Sequence, residues 1–481
     1  MTVLPPLRGR PGRISAVALI ALILLAMIEA LFPTPALRML ARGLLLVYLA
    51  LEWRAIQRNG RIMVLIAAAM TAVALLRGAA DMAALGRALD QGVFLATFFA
   101  NQFFLREPAR RSALVRRCAG FFIDQMPARR YGLLTLGGYL FGIILNMGVL
   151  SLLGLMIRQR NTLASAGGHE HIRTIRERRM VLPLLRGFSV TPLGSPISIA
   201  MVVLLTVLPG VDWLRLLGLG LMTGGIVLVL GWALDHATAP RHLAHLLPPV
   251  PRQRGFGALA GVIGIVLGIF ALALSIEGLA GLPLNRAVLA ALPLAGLIWL
   301  AAQHRRFPAP MAARLIGRRL VREGTRTFPR FRTEIAILSS AGFIGTLLSA
   351  LVPPPVMGAA LMAVPLHALL LPGYFTLLVL LAGLAGLNPI VTVSILGAAL
   401  AAVPAPGVPR DILALALMAG WTLTINASAM TASSMIVGDL VNRSAREVTL
   451  LWNGRFALLA WLVLSGWFAL LVLLLDKGGT P

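Results

Sequence analysis

Long apolar runs separated by arginine clusters set the strongest limit on what this chain can fold into. The runs cover about 14–33, 37–52, 61–76, 91–105, 131–157, 182–208, 214–234, 256–276, 287–302, 334–352, 356–385, 388–404, 412–440 and 456–475. Many approach or exceed the ~20 residues that a helix needs to cross a bilayer. Hydrophobic residues make up 58% of the 481 and charged residues only 12%, whereas a soluble domain carries about 25% charge. A water-soluble globule is excluded, and so is disorder, because the apolar content is too high. The expected class is an all-α polytopic membrane protein of a bacterial-type inner membrane, with the lipid bilayer as its first partner.

The 43 basic residues against 17 acidic ones give a net charge of +26. In a soluble protein this balance would suggest nucleic acid. Here the arginines flank apolar spans, where they fix topology by the positive-inside bias, and no nucleic-acid partner is expected. Cys118 is the single cysteine, so no disulfide within the chain and no thiolate metal cluster is expected. Arg8, Arg10 and Arg13 precede the first run without a small-residue cleavage site after Ala30, so this run reads as a retained span.

Arginine-rich segments are 54–61, 106–130, 158–179, 241–254, 303–332 and 443–455, and arginine-poor ones are 33–37, 78–90, 209–213, 277–285 and 353–409. Placing the rich set in the cytoplasm puts the N-terminus inside and the C-terminus outside. One run conflicts with simple alternation. Residues 131–157 have Arg129 and Arg130 before them and Arg158 and Arg160 after them, so a single crossing would strand one basic cluster outside. As one helix it would also measure ~40 Å, against a hydrocarbon core of ~30 Å. Doubled back at Asn146 and Gly148, each arm reaches roughly the midplane, with turn-permissive residues at its tip. We read it as a re-entrant hairpin from the cytoplasmic side, preceded by an amphipathic surface helix over 110–126.

With that hairpin the chain divides into parts. Residues 1–36 are a tail and an extra first span, 37–236 a first repeat, and 237–255 a cytoplasmic linker. Residues 256–475 form a second repeat, and 476–481 a tail. The second repeat is expected to hold an outward-facing hairpin at about 356–385, interrupted at Leu371-Pro372-Gly373, and an interrupted helix over 412–440, matching the interrupted helix over 182–208 in the first. The expectation is about 11 transmembrane helices plus two re-entrant hairpins in two inverted-topology repeats, a layout that secondary transporters use.

The interrupted segments carry the polar residues. Over 182–208, Pro183, Pro192 and Pro196 break the helix around Ser189, Thr191, Gly194, Ser195 and Ser198. Over 412–440 the centre holds Thr422, Thr424, Asn426, Ser428, Thr431, Ser433 and Ser434, with no proline. Unwound backbone and small hydroxyls at mid-membrane depth suit an ion or an anionic solute. The plainer alternative is a kink and polar packing between helices. Arg186 lies one turn inside the first segment, where it either draws an anion or snorkels to the surface.

Thr191-Pro192-Leu193-Gly194-Ser195-Pro196 resembles the Thr-Pro-(apolar)-Gly-Thr-Pro motif of the divalent anion:sodium symporters in the ion transporter superfamily, where it marks the break of an interrupted helix after a cytoplasm-facing hairpin. Gly386-Leu387-Asn388-Pro389 is similar to the turn that leads into that family's second interrupted region. Two features depart from the pattern. Asn146 lacks flanking Ser or Thr, and Asn426–Thr431 stands where the family has Gly-Thr-Pro-Pro. Layout and resemblance together imply a secondary active transporter of a small anionic organic solute, working by alternating access. Asn146, Ser189, Thr191, Gly194, Ser195, Thr424, Asn426, Ser428 and Thr431 would bind the substrate. A coupling Na+ or H+ and a homodimer are further expectations; a catalytic residue, a resident metal and a cofactor are not expected.

No P-loop, nucleophile elbow or zinc-binding helix occurs, so the chain does not read as an enzyme. Two alternatives stand beside the transporter. A lipid-handling enzyme or flippase predicts acids or histidines converging on the cytoplasmic face, where Asp235, His236, His242 and His245 cluster. A non-transporting subunit of a larger complex predicts polar centres packed without a cavity. Glu29 and Glu334 are the acids nearest the apolar interior and are candidate proton carriers. His169-Glu170-His171 reads as a solvated loop.

Overall fold

A computed structural model describes residues 10–240, 243, 255–351, 367–402 and 407–476, and among them helices and turns occur but no strand. The first group of helices is α1 (Arg10–Leu31), α2 (Pro35–Glu52), α3 (Arg58–Leu76), α4 (Met82–Arg111), α5 (Ala113–Ile123), α6 (Pro127–Leu145), α7 (Gly148–Arg160), α8 (Glu170–Ser189), the single turn α9 (Thr191–Gly194), α10 (Ile199–Val207) and α11 (Trp213–Ala237). After them come α12 (Phe256–Ala280), α13 (Leu284–Gln303), α14 (Ala309–Thr327), α15 (Arg332–Leu351), α16 (Leu371–Leu384), α17 (Pro389–Ala402), α18 (Arg410–Ala427), α19 (Ala432–Val441) and α20 (Gly454–Asp476). The protein is a membrane protein. Among the described residues eight helical stretches are long and apolar enough to cross a bilayer: α1, α3, α11, α12, α13, α20, the run Ala309–Leu348 that takes in α14 and most of α15, and Arg410–Val441.

Local chemistry sets many of the boundaries. Thr34 accepts the Leu37 amide while Pro35 opens α2, and Asp81 accepts the Ala84 amide at the start of α4. These side chains satisfy amides that have no partner inside the first turn. The run 131–157 is not one helix. It breaks between α6 and α7 at Asn146, whose φ of 52° lies in the left-handed region. The guanidinium of Arg160, the last residue of α7, meets the carboxylate of Asp124, just before α6, at 2.8 Å. The start of α6 and the end of α7 therefore lie together, and the chain doubles back between them.

A second doubling-back candidate sits elsewhere than the sequence suggests. Leu371-Pro372-Gly373, the expected interruption, instead opens α16, with Pro372 in its first turn. The tight turn falls at Gly386, where φ is 96°. The Asn388 carboxamide then accepts the Ile390 amide at 3.0 Å and caps α17, whose first residue is Pro389. The pair of short helices thus covers 371–402; residues 356–366 of the expected hairpin lie outside the described residues, as does most of the 237–255 linker.

Packing sorts the helices into two groups. In one, α4 packs against α15 and α13, and α15 also against α3. In the other, α6 packs on α8 and α16 on α18, while α7 leans on α8 and α19; α17 bridges the two, lying against α15 of the first group and α10 of the second. The helix α18 is buried from Asp411 to Ala427, whereas α3 and α12 keep most of their apolar surface outward. An all-apolar helix with an outward face suits lipid, and one enclosed all round is an interior element.

Candidate functional site

The two interrupted helices share one local grammar. α8 ends at Ser189, α9 adds one turn, Ser195 is extended, and the Ser198 hydroxyl caps α10 by accepting the Met201 amide at 3.1 Å. α18 ends at Ala427, Ser428 is extended, and the Thr431 hydroxyl caps α19 by accepting the Ser434 amide at 3.2 Å. Ser195 and Ser428 are 233 positions apart, and so are Ser198 and Thr431.

The residues that seat each helix keep this offset, while their partners in the preceding helix share a second one of 241 positions. A methyl group on Gly187 would lie 2.0 Å from the Thr135 carbonyl oxygen, and one on Gly420 would lie 2.8 Å from that of Thr376. The Thr191 methyl sits where a side chain on Gly142 would go, and the Thr424 methyl does the same over Gly383, at 2.7 and 2.2 Å. Only glycine lets the helices approach this closely. Four residues of α6, α8 and α9 therefore have counterparts in α16 and α18, pairing Thr135 with Thr376, Gly142 with Gly383, Gly187 with Gly420, and Thr191 with Thr424.

One pair breaks the match. The Ser428 hydroxyl donates to the Gly383 carbonyl at 2.6 Å. Ser195, its counterpart, is 1% exposed and its hydroxyl has no hydrogen-bond partner among the described residues. The neighbouring Gly194 carbonyl accepts from the Tyr139 hydroxyl. Buried polar groups are normally paired, and an unpaired one costs about 1–3 kcal/mol.

The two breaks meet directly. Asn426 donates through Nδ2 to the Ser189 hydroxyl at 2.6 Å, and Ser189 in turn donates to the Arg186 carbonyl at 2.7 Å. Asn453, just before α20, donates to Asn426 Oδ1 at 2.9 Å and accepts from Arg186 Nε at 2.9 Å. These four residues close a hydrogen-bonded ring. Arg186 also donates to the Tyr131 hydroxyl and the Gly231 carbonyl, both at 3.2 Å, and its guanidinium carbon stands 4.2 Å from the centroid of the Phe456 ring. It is only 5% exposed, and among the described residues no carboxylate lies within ion-pair reach of it. A buried cation compensated only by neutral dipoles is a favourable place for an anion.

The remaining residues expected at the site are not members of this ring. The Thr424 hydroxyl donates to the Val379 carbonyl at 3.3 Å and the Gly420 carbonyl at 2.9 Å. That of Thr191 donates within its own turn, to the Phe188 carbonyl at 2.8 Å. Thr431 serves as the cap of α19. Asn146 stands apart: its amide donates to Gln102 Oε1 at 2.8 Å, in α4, and among the described residues no hydrogen bond ties it to either break. Arg186, singled out in the sequence with two readings, lies inside the ring rather than at the surface. Asn453 was hidden in an arginine-rich segment and gave no signal.

Other clusters resolve into ordinary pairs. Asp235 pairs with Arg179 at 2.6 Å, His236 stacks on Trp232, Glu170 pairs with Arg173 at 2.6 Å, and Glu29 with Arg38 at 2.8 Å. Among the described residues no group of three His, Cys, Asp or Glu side chains is placed to hold a metal ion; His242 and His245 lie outside them. No protein-family model and no curated protein matches this chain.

Proposed function

We propose that the protein is a secondary active transporter for a small organic anion, built from two inverted-topology repeats. The observation that carries this reading is the 2.6 Å bond from Asn426 to Ser189 beside the buried Arg186. Two interrupted helices converge there on one cation held by neutral groups alone among the described residues. A carboxylate entering between the breaks gains the Arg186 charge and the unused Ser195 hydroxyl. Both are desolvated in advance, so the cost of burying the anion is largely met by the site.

In this reading α6–α7 and α16–α17 are re-entrant hairpins. α16 and α17 have 14 residues each, about 21 Å at 1.5 Å per residue and too short for a core of ~30 Å. The recurrence of one contact pattern in α6–α8 and α16–α18 supports descent of the two halves from one unit. The glycine-seated helices would travel together past the group formed by α3, α4, α13 and α15, exposing the site to each side in turn. Residues Ser189, Thr191, Gly194, Ser195, Thr424, Asn426, Ser428 and Thr431 line or brace the site, and Asn146 marks a hairpin tip. The solute would be driven by Na+ or H+, with the N-terminus in the cytoplasm and two copies pairing through the static helices.

The test is uptake of labelled mono- and dicarboxylates into proteoliposomes holding the full chain, under a sodium or a proton gradient, with melting temperature as a parallel readout of binding. Gradient-dependent uptake of at least one anion, lost in Arg186→Gln, is the expected result. If no carboxylate is moved or shifts melting under either gradient, the proposal is overturned.

A further inference from the structure

A second basic site lies far along the chain from the ring. Where the C-terminal ends of α4 and α13 meet α14, a cavity of about 270 Å³ is lined by Arg111, His304, Arg318, Arg319, Arg322 and Glu323, with Leu315 at its side. Two of its arginines are fixed from behind. Arg319 donates to Glu107 Oε1 at 2.9 Å, the Glu107 carbonyl at 3.0 Å and Gln303 Oε1 at 3.2 Å, and Arg111 donates to Glu323 Oε1 at 2.8 Å. Arg318 and Arg322 are exposed, one helical turn apart, and in no ion pair among the described residues. Four guanidinium groups thus face Glu323 and the backing Glu107, leaving the cavity two positive charges in excess.

Its position says which anion it fits. His304 directly follows the candidate span α13, so the cavity sits at headgroup depth. Phe307, Met311 and Val321, on and just before α14, expose 44%, 49% and 62% of their surfaces, as a helix lying in the interface does. We propose that this cavity binds the phosphate of an anionic phospholipid, with Arg318 and Arg322 gripping its oxygens and the acyl chains running beside α13. Guanidinium matches phosphate with paired, directional hydrogen bonds, and basic pockets at the ends of spans suit such headgroups. This site is independent of the transport proposal, since it needs only that α13 spans the bilayer.

The test uses the full-length protein in neutral detergent, with cardiolipin, phosphatidylglycerol, phosphatidylcholine and inorganic phosphate as probes, read by melting temperature and by lipid retention in native mass spectrometry. The two anionic lipids should raise the melting temperature and stay bound, while phosphatidylcholine and millimolar phosphate should not. The double variant Arg318→Gln, Arg322→Gln should weaken cardiolipin binding about tenfold, a change of ~1.4 kcal/mol. Arg314→Gln, on the same helix but outside the cavity, should leave it unchanged. If the double glutamine variant does not fold, Arg318→Lys with Arg322→Lys keeps the charge and loses the fork, and should still weaken retention. Equal binding in wild type and variants, equal loss in Arg314→Gln, or an equal response to free phosphate would overturn the proposal.

Discussion

The side-chain amide of Asn426 reaches the hydroxyl of Ser189 across 237 positions of sequence at 2.6 Å. That bond joins the ends of the two interrupted helices α8 and α18, and its partners differ in what they lose on substitution. Asn426→Leu removes the bonds to Ser189, Thr422 and Asn453 at once and should lower stability by about 1–3 kcal/mol. Ser189→Ala leaves the Asn426 amide bonded to the Thr422 carbonyl, at 2.9 Å, and should cost less, ~1 kcal/mol. Thermal unfolding in detergent gives the order; a larger loss for Ser189→Ala would contradict the ring.

Ser195→Ala separates binding from folding. Its hydroxyl is buried without a partner among the described residues, so replacing it by a methyl should leave the melting temperature unchanged or raise it. If the transport proposal holds, the same variant should lose anion-dependent uptake, because the Ser195 hydroxyl is one of the two groups proposed to receive the carboxylate.

The glycine contacts predict two destabilised variants of unequal severity. Alanine at 187 places a methyl 2.0 Å from a backbone oxygen, and alanine at 420 places one 2.8 Å away. Both overpack a helix crossing, at typically 1–3 kcal/mol, and Gly187→Ala should unfold at the lower temperature.

Doubling-back of α6 and α7 is testable by cross-linking. Cysteines replacing Asp124 and Arg160, whose charged groups lie 2.8 Å apart, should be joined by a short thiol cross-linker when Cys118 is changed to Ala. A chain running straight through 131–157 would hold them a membrane apart and give no product.

Cys118 itself should be inert. It is fully buried in α5, and burial pushes its thiol from 9.0 up to about 12. The thiolate is the reactive form, so maleimide at pH 8 should label only unfolded protein. The folded chain keeps this proton where the unfolded chain has lost it, so stability should fall as pH rises from 9 toward 12.

Much of this architecture was legible in the residues. The break at Asn146 follows from arginines on both flanks of 131–157, and the break after Ser189 from its prolines. The turn at Gly386 was harder to place, because Leu371-Pro372-Gly373 carries the same turn chemistry but is used to start a helix, which proline permits in the first turn. The matched contacts of Thr135, Gly142, Gly187 and Thr191 with Thr376, Gly383, Gly420 and Thr424 gave no sequence signal. Two isolated residues per helix are lost among apolar neighbours that any packing would accept. Asn453 went unseen for another reason: its importance comes only from Arg186 and Asn426, both distant in sequence.

The second arms of the short helical pairs reach across the chain. α7 lies against α8 of its own portion and equally against α19 from the far one, and α17, packed mainly on α15 of its own portion, also touches α10 from the near one. Neither portion can finish its own interior without borrowing from the other. A polypeptide severed between α11 and α12 would therefore yield fragments with bare seams, able to mature only when both are made in the same cell and clasp one another.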